Sequence, residues 1–345
     1  MTDEPLLLRA LRLEPTPRPP IWLMRQAGRY MAEYRAVRER VSFLELCRTP
    51  RLCARVMADA VERLDVDAAI IFSDILPILI PLGFDLDYLP GDGPVIRNPL
   101  RADDDPSRVP ERFDPDRISY IFETVAETRR LVPREKAVIG FAGAPFTLAS
   151  YAVEGGSSRL FTRTKTLMRA APELWSLFMD RLADAAAESL LGQIAAGADA
   201  VQIFDSWAGA LAPDEYRRYA APYTERLLAR LQGKAPTIYF CAGNPALLPE
   251  AARLSADCLG IDWRVPIQEA CRVVGPKFAV QGNLDPAVLL TDKKTIRAEA
   301  ARILDAVGRR PGFIFNLGHG VLKETPVEHA VELVRAVKEF AVSPS

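Results

Sequence analysis

The chain has 345 residues, 49% of them hydrophobic, and a net charge of −1 with Lys and Arg dispersed along it. That is ample for a large core, and no basic block is present to follow a phosphate backbone, which excludes nucleic acid as an expected partner. The five cysteines form no CxxC pair, the opening MTDEPLLLRALRLEP has only a three-leucine run, and AAIIFSDILPILIPLGF is broken by Ser73, Asp74 and two prolines. A disulfide scaffold, a signal peptide and a membrane span are therefore not expected, and the cytoplasm is the expected location.

Short apolar runs recur along the chain: PIWLM (20–24), DAAIIF (67–72), AVIGF (137–141), AVQIF (200–204), TIYFC (237–241), CLGID (258–262), FAVQGN (278–283) and FIFNLG (313–318). They are continuous rather than alternating, as parallel strands buried on both faces are. The stretch 83–116 is rich in Gly, Pro and Asp and reads as a long loop with short pieces of structure, not a second domain. Helical patterns fill 173–196, 213–232, 294–308 and 326–341, the second opening on Pro213, Asp214 and Glu215 as helices do. Eight strand–helix alternations predict a single-domain (β/α)8 TIM barrel spanning 1–345; an open doubly wound sheet is the alternative.

In such a barrel the reactive groups follow the C-terminal ends of the strands. The first run leads into Arg25, Gln26 and Arg29, the second into Ser73 and Asp74, and the third into a turn and a helix carrying Tyr151. The fourth ends in Asp205 and Ser206, and the eighth in Gly318 and His319. If the chain turns helical after Met24, Arg25 and Arg29 point to one side, where their planar forks suit carboxylates, and Gly28 lets a ligand approach the backbone. The plainer reading is a solvated face with two surface arginines. Asp74 sits among apolar residues and needs a partner; it is a helix cap, a structural ion pair or a fixed charge facing a cation or N–H donors. His319 lies between glycines and faces the cavity, whereas His329, on a helix after Pro326, reads as structural. Tyr151 precedes Gly155 and Gly156, which could let a lid move; it could equally be an ordinary half-buried tyrosine. Ser206 is a cap or a contact, and no GxSxG elbow makes it a nucleophile. No His/Cys set has zinc spacing, and neither a P-loop nor a dinucleotide fingerprint is present, so no metal and no cofactor are expected.

MRQAGRY, FSDIL, YAVEGG, FDSWAG and NLGHG, in this order and at these spacings, resemble the uroporphyrinogen decarboxylases from about Pro20 to the C-terminal helix. The arginine motif is the most specific of them. The resemblance implies a single-domain (β/α)8 barrel acting as a cytoplasmic homodimer in haem and chlorophyll synthesis. It implies removal of four acetate carboxyl groups from uroporphyrinogen, giving coproporphyrinogen, without metal or organic cofactor. The substrate contacts it implies are Arg25, Gln26, Ala27, Gly28, Arg29, Asp74, Tyr151, Ser206 and His319, with Phe43 as a further one. Two places depart from the commonest wording: Lys323 stands where many relatives carry proline, and Asp205 and Trp207 are one of several variants around the serine.

That chemistry needs an electron sink. A pyrrole protonated at its α-carbon is one, and a fixed carboxylate beside the pyrrole nitrogens would stabilise the developing cation by roughly 3–4 kcal/mol. Asp74 suits that role, with Arg25 and Arg29 as the other candidate catalytic groups. The arginines would chiefly bind substrate and transition state alike. Two rivals remain. One is a related barrel family of zinc-dependent corrinoid or thiol methyltransferases, whose His-x-Cys element would fall at Tyr239-Phe240-Cys241, where the histidine is missing. The other is a tetrapyrrole carrier, which would have no use for Asp74.

Overall fold

The computed structural model describes residues 4–89 and 93–340. Among the described residues nine strands occur in chain order: β1 (Ala68–Ile70), β2 (Leu86–Leu89), β3 (Gly93–Ile96), β4 (Ala137–Gly143), β5 (Ala200–Asp205), β6 (Thr237–Cys241), β7 (Cys258–Ile261), β8 (Ala279–Leu284) and β9 (Phe313–Leu317). Seven of them form one parallel sheet in the order β1-β4-β5-β6-β7-β8-β9. Their residues are almost all buried, because helices cover the outer face and side chains fill the inner one.

The eighth strand position belongs to the PIWLM run. Ile21 bridges Phe315 of β9 in parallel, and Phe315 N donates to Pro20 O at 2.9 Å. On its other side, Asp67 N donates to Ile21 O at 2.8 Å just ahead of β1. The Asp67 carboxylate completes this seam, accepting from Ile21 N at 2.8 Å and from Arg18 at 2.6 Å. First and last strands therefore meet, as in the expected barrel, and the open doubly wound sheet is excluded. Inside, Trp22 Nε1 donates to Gln281 Oε1 at 2.9 Å and Gln281 Nε2 to Gln202 Oε1 at 3.0 Å. These polar atoms lie among apolar side chains only because they satisfy one another.

The helices follow the sequence patterns closely: Pro172–Ala195, Lys293–Val307 and Val327–Glu339. The pattern over 326–341 ends on Ala341, outside the described residues. The pattern over 213–232 is two helices, Pro213–Tyr219 and Ala221–Leu231, broken at Ala220 (φ −127°, ψ −53°). The stretch 83–116 holds an antiparallel hairpin, β2 with β3, that pairs Leu86 with Ile96 and Tyr88 with Pro94. Two single-turn helices follow, Pro106–Arg108 and Pro115–Ile118. Residues 90–92 lie outside the described residues. Hydrogen bonds from Ile96 N to Gly155 O (2.9 Å) and Leu100 N to Ala152 O (3.0 Å) pin the hairpin to the helix Pro145–Glu154. Among the described residues no helix is long and apolar enough to cross a membrane.

Candidate active site

The turn after the first strand is not helical. Arg25 takes a left-handed backbone (φ 62°), Gln26 N donates to Leu23 O at 2.9 Å, and the next helix begins only at Ala32. The expectation that helical geometry aligns Arg25 with Arg29 is thus corrected. Both guanidiniums are exposed, but they serve different places. Arg25 acts electrostatically on Asp74, Tyr151 and His319. Arg29 acts instead on Tyr34. Gln26 points the other way: its amide is fully buried and donates to Ala68 O at 3.0 Å. Its side chain braces the turn against β1 and is not free for a ligand. Ala27 is buried beside it, and Gly28 is half-buried, with the Arg25 carbonyl 3.2 Å from where a Cβ would stand.

The turn is held in place from β9. Met24 N donates to Asn316 Oδ1 at 3.0 Å, and Val321 N donates to Met24 O at 2.9 Å. This lays the Gly318-His319-Gly320 segment beside Arg25. Its glycines are required by close approach: a Cβ on Gly318 would lie 2.3 Å from Trp263 N, and one on Gly320 2.3 Å from Arg25 Cδ. His319 is half-buried and meets Trp263 edge-on at 6.0 Å. Burial, and then the charge of Arg25, lower its pKa and favour the neutral imidazole. His329 lies apart, its Nδ1 2.9 Å from Leu289 O, in the structural role expected of it.

Asp74 follows β1. Its Oδ1 accepts from Leu76 N at 2.9 Å at the start of the single-turn helix Leu76–Leu79, but the N-cap position is Ile75, so Asp74 is not the helix cap. That bond does not exhaust the carboxylate. Burial raises the Asp74 pKa, and the Leu76 N–H, Tyr88 and Arg25 oppose that rise. Arg25 and Asp74 form no ion pair within 4.0 Å, although the charge of Arg25 still lowers the Asp74 pKa. Tyr151, half-buried on the helix Pro145–Glu154, stacks on Trp207 at 3.8 Å and 27°. Its pKa is raised by burial first and Asp74 second. Gly155 closes that helix at φ 87°, and its carbonyl accepts from Ile96 N of the hairpin. Ser206 is half-buried between Asp205 and Trp207. Phe43 packs on Phe72 at 6.2 Å and on Tyr88 at 4.8 Å.

Beneath the rim, Asp205 is fully buried. Thr147 Oγ1 and Tyr239 Oη each donate to it at 2.7 Å, and Tyr216 Oη lies 2.7 Å from Tyr239 Oη. Trp207 N donates to Thr147 Oγ1 at 3.2 Å, which joins this network to the Tyr151 platform. Among the described residues, no group of three or more His, Cys, Asp and Glu is arranged to hold a metal ion. Sequence reading passes over Tyr88, Trp263 and Trp207 as site-forming side chains. LDYL followed by PGDGP is a strand-and-turn signature, and it could have revealed the hairpin that carries Tyr88.

The family model described as Uroporphyrinogen decarboxylase (URO-D) matches residues 2–340. The chain belongs to the uroporphyrinogen decarboxylase family. A uroporphyrinogen decarboxylase of Chloroflexus aurantiacus is 50% identical over 96% of this chain and 95% of its own length. One from Thermus thermophilus is 46% identical over 97% of this chain and 98% of its own. Among solved structures, a methyltransferase from Methanosarcina mazei superposes with a TM-score of 0.84 at 20% identity, covering 98% of this chain and 99% of that one. At that identity the likeness concerns the fold alone. The uroporphyrinogen decarboxylase family thus accounts for the whole described barrel and makes the chain a carboxy-lyase.

Proposed function

We propose that the protein removes the four acetate carboxyl groups of uroporphyrinogen III as carbon dioxide, leaving methyl groups and giving coproporphyrinogen III. The observation that carries this is the pairing of opposites at one barrel mouth. Asp74 is a carboxylate with an uncommitted edge, and Arg25 stands across from it without closing an ion pair. A macrocycle fits that arrangement chemically, because it has N–H donors at its centre for Asp74 and carboxylates at its rim for cations.

Protonation of one pyrrole α-carbon places a positive charge on that ring. The C–C bond to the acetate carboxyl then breaks, carbon dioxide leaves, and its electron pair neutralises the ring as an exocyclic methylene. That methylene takes a proton as the α-carbon gives one up, so each cycle consumes one proton per carbon dioxide released. Asp74 would stabilise the cation through the N–H groups, a preorganised charge worth roughly 3–4 kcal/mol. Arg25 would orient the leaving carboxylate, with Arg29 binding substrate. His319 as a neutral donor, Tyr151, Ser206 and Phe43 would line the remaining wall. The pyrrole itself is the electron sink, so the reaction calls for no metal or organic cofactor. Homodimeric assembly and a cytoplasmic location rest on the family resemblance and are tested by sedimentation and by cell fractionation. The decisive experiment incubates the purified protein anaerobically with uroporphyrinogen III and no additives. Four equivalents of carbon dioxide and coproporphyrinogen III are expected; no product would sink the proposal.

A further inference from the structure

Five side chains from five elements are coupled to Asp74, Arg25 and Tyr88 by lowering its pKa and the other three by having their own pKa raised by its charge. They are Arg25 from the turn after the first strand, Cys47 from the helix Phe43–Cys47, Tyr88 from β2, Tyr120 from the helix Ser119–Leu131, and Tyr151 from the helix Pro145–Glu154. Of these, only Tyr88 has a hydroxyl that is at once buried and without a hydrogen-bond partner among the described residues. It stands close enough to Asp74 to lower the carboxyl pKa as a donor does, yet it completes no hydrogen bond. Its ring is fixed by tilted packing against Phe43 at 4.8 Å and 55° and by the pairing of Tyr88 with Pro94. A buried hydroxyl left unpartnered burdens the fold, so it calls for an explanation outside folding.

We propose that Tyr88 is a positioning residue for the decarboxylation, its hydroxyl turning onto the free edge of Asp74 to hold that carboxylate ionised and aimed at the pyrrole N–H groups. The inference rests on the role assigned to Asp74 above. A donor to a carboxylate favours the charged form, which opposes the desolvation that burial imposes here. With Oδ1 committed to Leu76 N, the other edge would otherwise turn with each arriving ligand. The residue reaches Asp74 only because the hairpin folds over the barrel mouth, which gives that excursion of the chain a function.

The test is Tyr88→Phe in the full-length protein, which keeps the ring and its packing on Phe43 and removes the donor. The first readout is the 13C carboxyl titration of Asp74 without ligand, its signal assigned by its loss in Asp74→Asn. The second is the pH profile of kcat/KM with uroporphyrinogen. The Asp74 midpoint is expected to rise by about one pH unit, the acid limb of the profile to rise with it, and Tm to hold or increase. An unmoved midpoint overturns the proposal, as does a fall in Tm with an unmoved profile, the mark of a packing role. Should Y88F fold poorly, Tyr88→Met reports the same midpoint. If the wild-type protein releases no carbon dioxide, the decarboxylase reading fails, while the titration still decides whether Tyr88 holds Asp74.

Discussion

Arg25 and Gly320 occupy one volume: a Cβ on Gly320 would stand 2.3 Å from Arg25 Cδ and 2.7 Å from its Cγ. The glycine is needed because the arginine stem passes there, and not because of its own backbone. Gly320→Ala should therefore fold normally, since the arginine chain can give way. It should displace the guanidinium from Asp74 and Tyr151, and a shift of about 1 Å in such a group costs on the order of a hundredfold in rate. Gly318→Ala should do the opposite. Its Cβ would meet the backbone of Trp263, which cannot move aside, and overpacking costs typically about 1–3 kcal/mol. Paired measurements of Tm and kcat/KM on the two variants distinguish these effects. A large loss of stability in G320A would show that the Arg25 stem is fixed.

The two arginines should separate kinetically. Arg25 acts on Asp74, Tyr151 and His319, whereas Arg29 acts on Tyr34. Arg25→Ala should lower kcat by roughly a hundredfold, about 3 kcal/mol of lost charge-assisted interaction. It should also raise the acid limb of the pH profile, because Arg25 lowers the Asp74 pKa. Arg29→Ala should raise KM by about tenfold and leave kcat within roughly threefold, as uniform binding does. Equal effects of both on kcat would show that Arg29 also reaches the reacting carboxylate.

The uneven legibility of this site in the sequence has a physical basis. The barrel strands are readable because parallel strands buried on both faces must be continuously apolar, and the residues after them follow from that register. Asp74, Tyr151, Ser206 and His319 are candidates by position in that way. The turn 25–29 is not, because its geometry is set by Asn316 and Val321, nearly three hundred residues away, and not by local propensity. Gln26 shares a motif with the arginines, yet its burial under Ala68 O is a tertiary fact. Tyr88 escapes because its hairpin is packed against the helix Pro145–Glu154, and only that contact turns an isolated tyrosine toward Asp74.

Asp74→Asn keeps the shape and the acceptor oxygen for Leu76 N, so the fold should survive. The variant loses the charge that would balance a protonated pyrrole. Turnover should fall by a factor of about 10²–10³ or more, while calorimetry still detects binding of uroporphyrinogen through the cations at the rim. In the wild type, activity should fall with acid at a pH above that of an ordinary aspartate, because burial raises the Asp74 pKa and the ionised form is the working one. Near-normal turnover in D74N would rule out the charge role.

Asp205 makes a prediction about stability that is separate from catalysis. Burial raises its pKa from 3.8 to about 6, against the opposing hydrogen bonds from Thr147 and Tyr239. Below 3.8 the folded and unfolded states both carry the proton, and above about 6 neither does. Between those values the folded state holds a proton that the unfolded chain has released. Stability is therefore greatest at the acid end of this window, declines as pH rises through it, and stays lower beyond it, by a total of ~3 kcal/mol. For a chain of this length that corresponds to about 4 °C in Tm. Asp205→Asn cannot titrate and retains an acceptor for one hydroxyl, so its Tm should gain on that of the wild type by this amount between about pH 4 and 7. Other carboxylates titrate in the same range, so the difference between the two proteins is the informative quantity. A difference that stays flat across the window would mean that Asp205 ionises normally in the folded barrel.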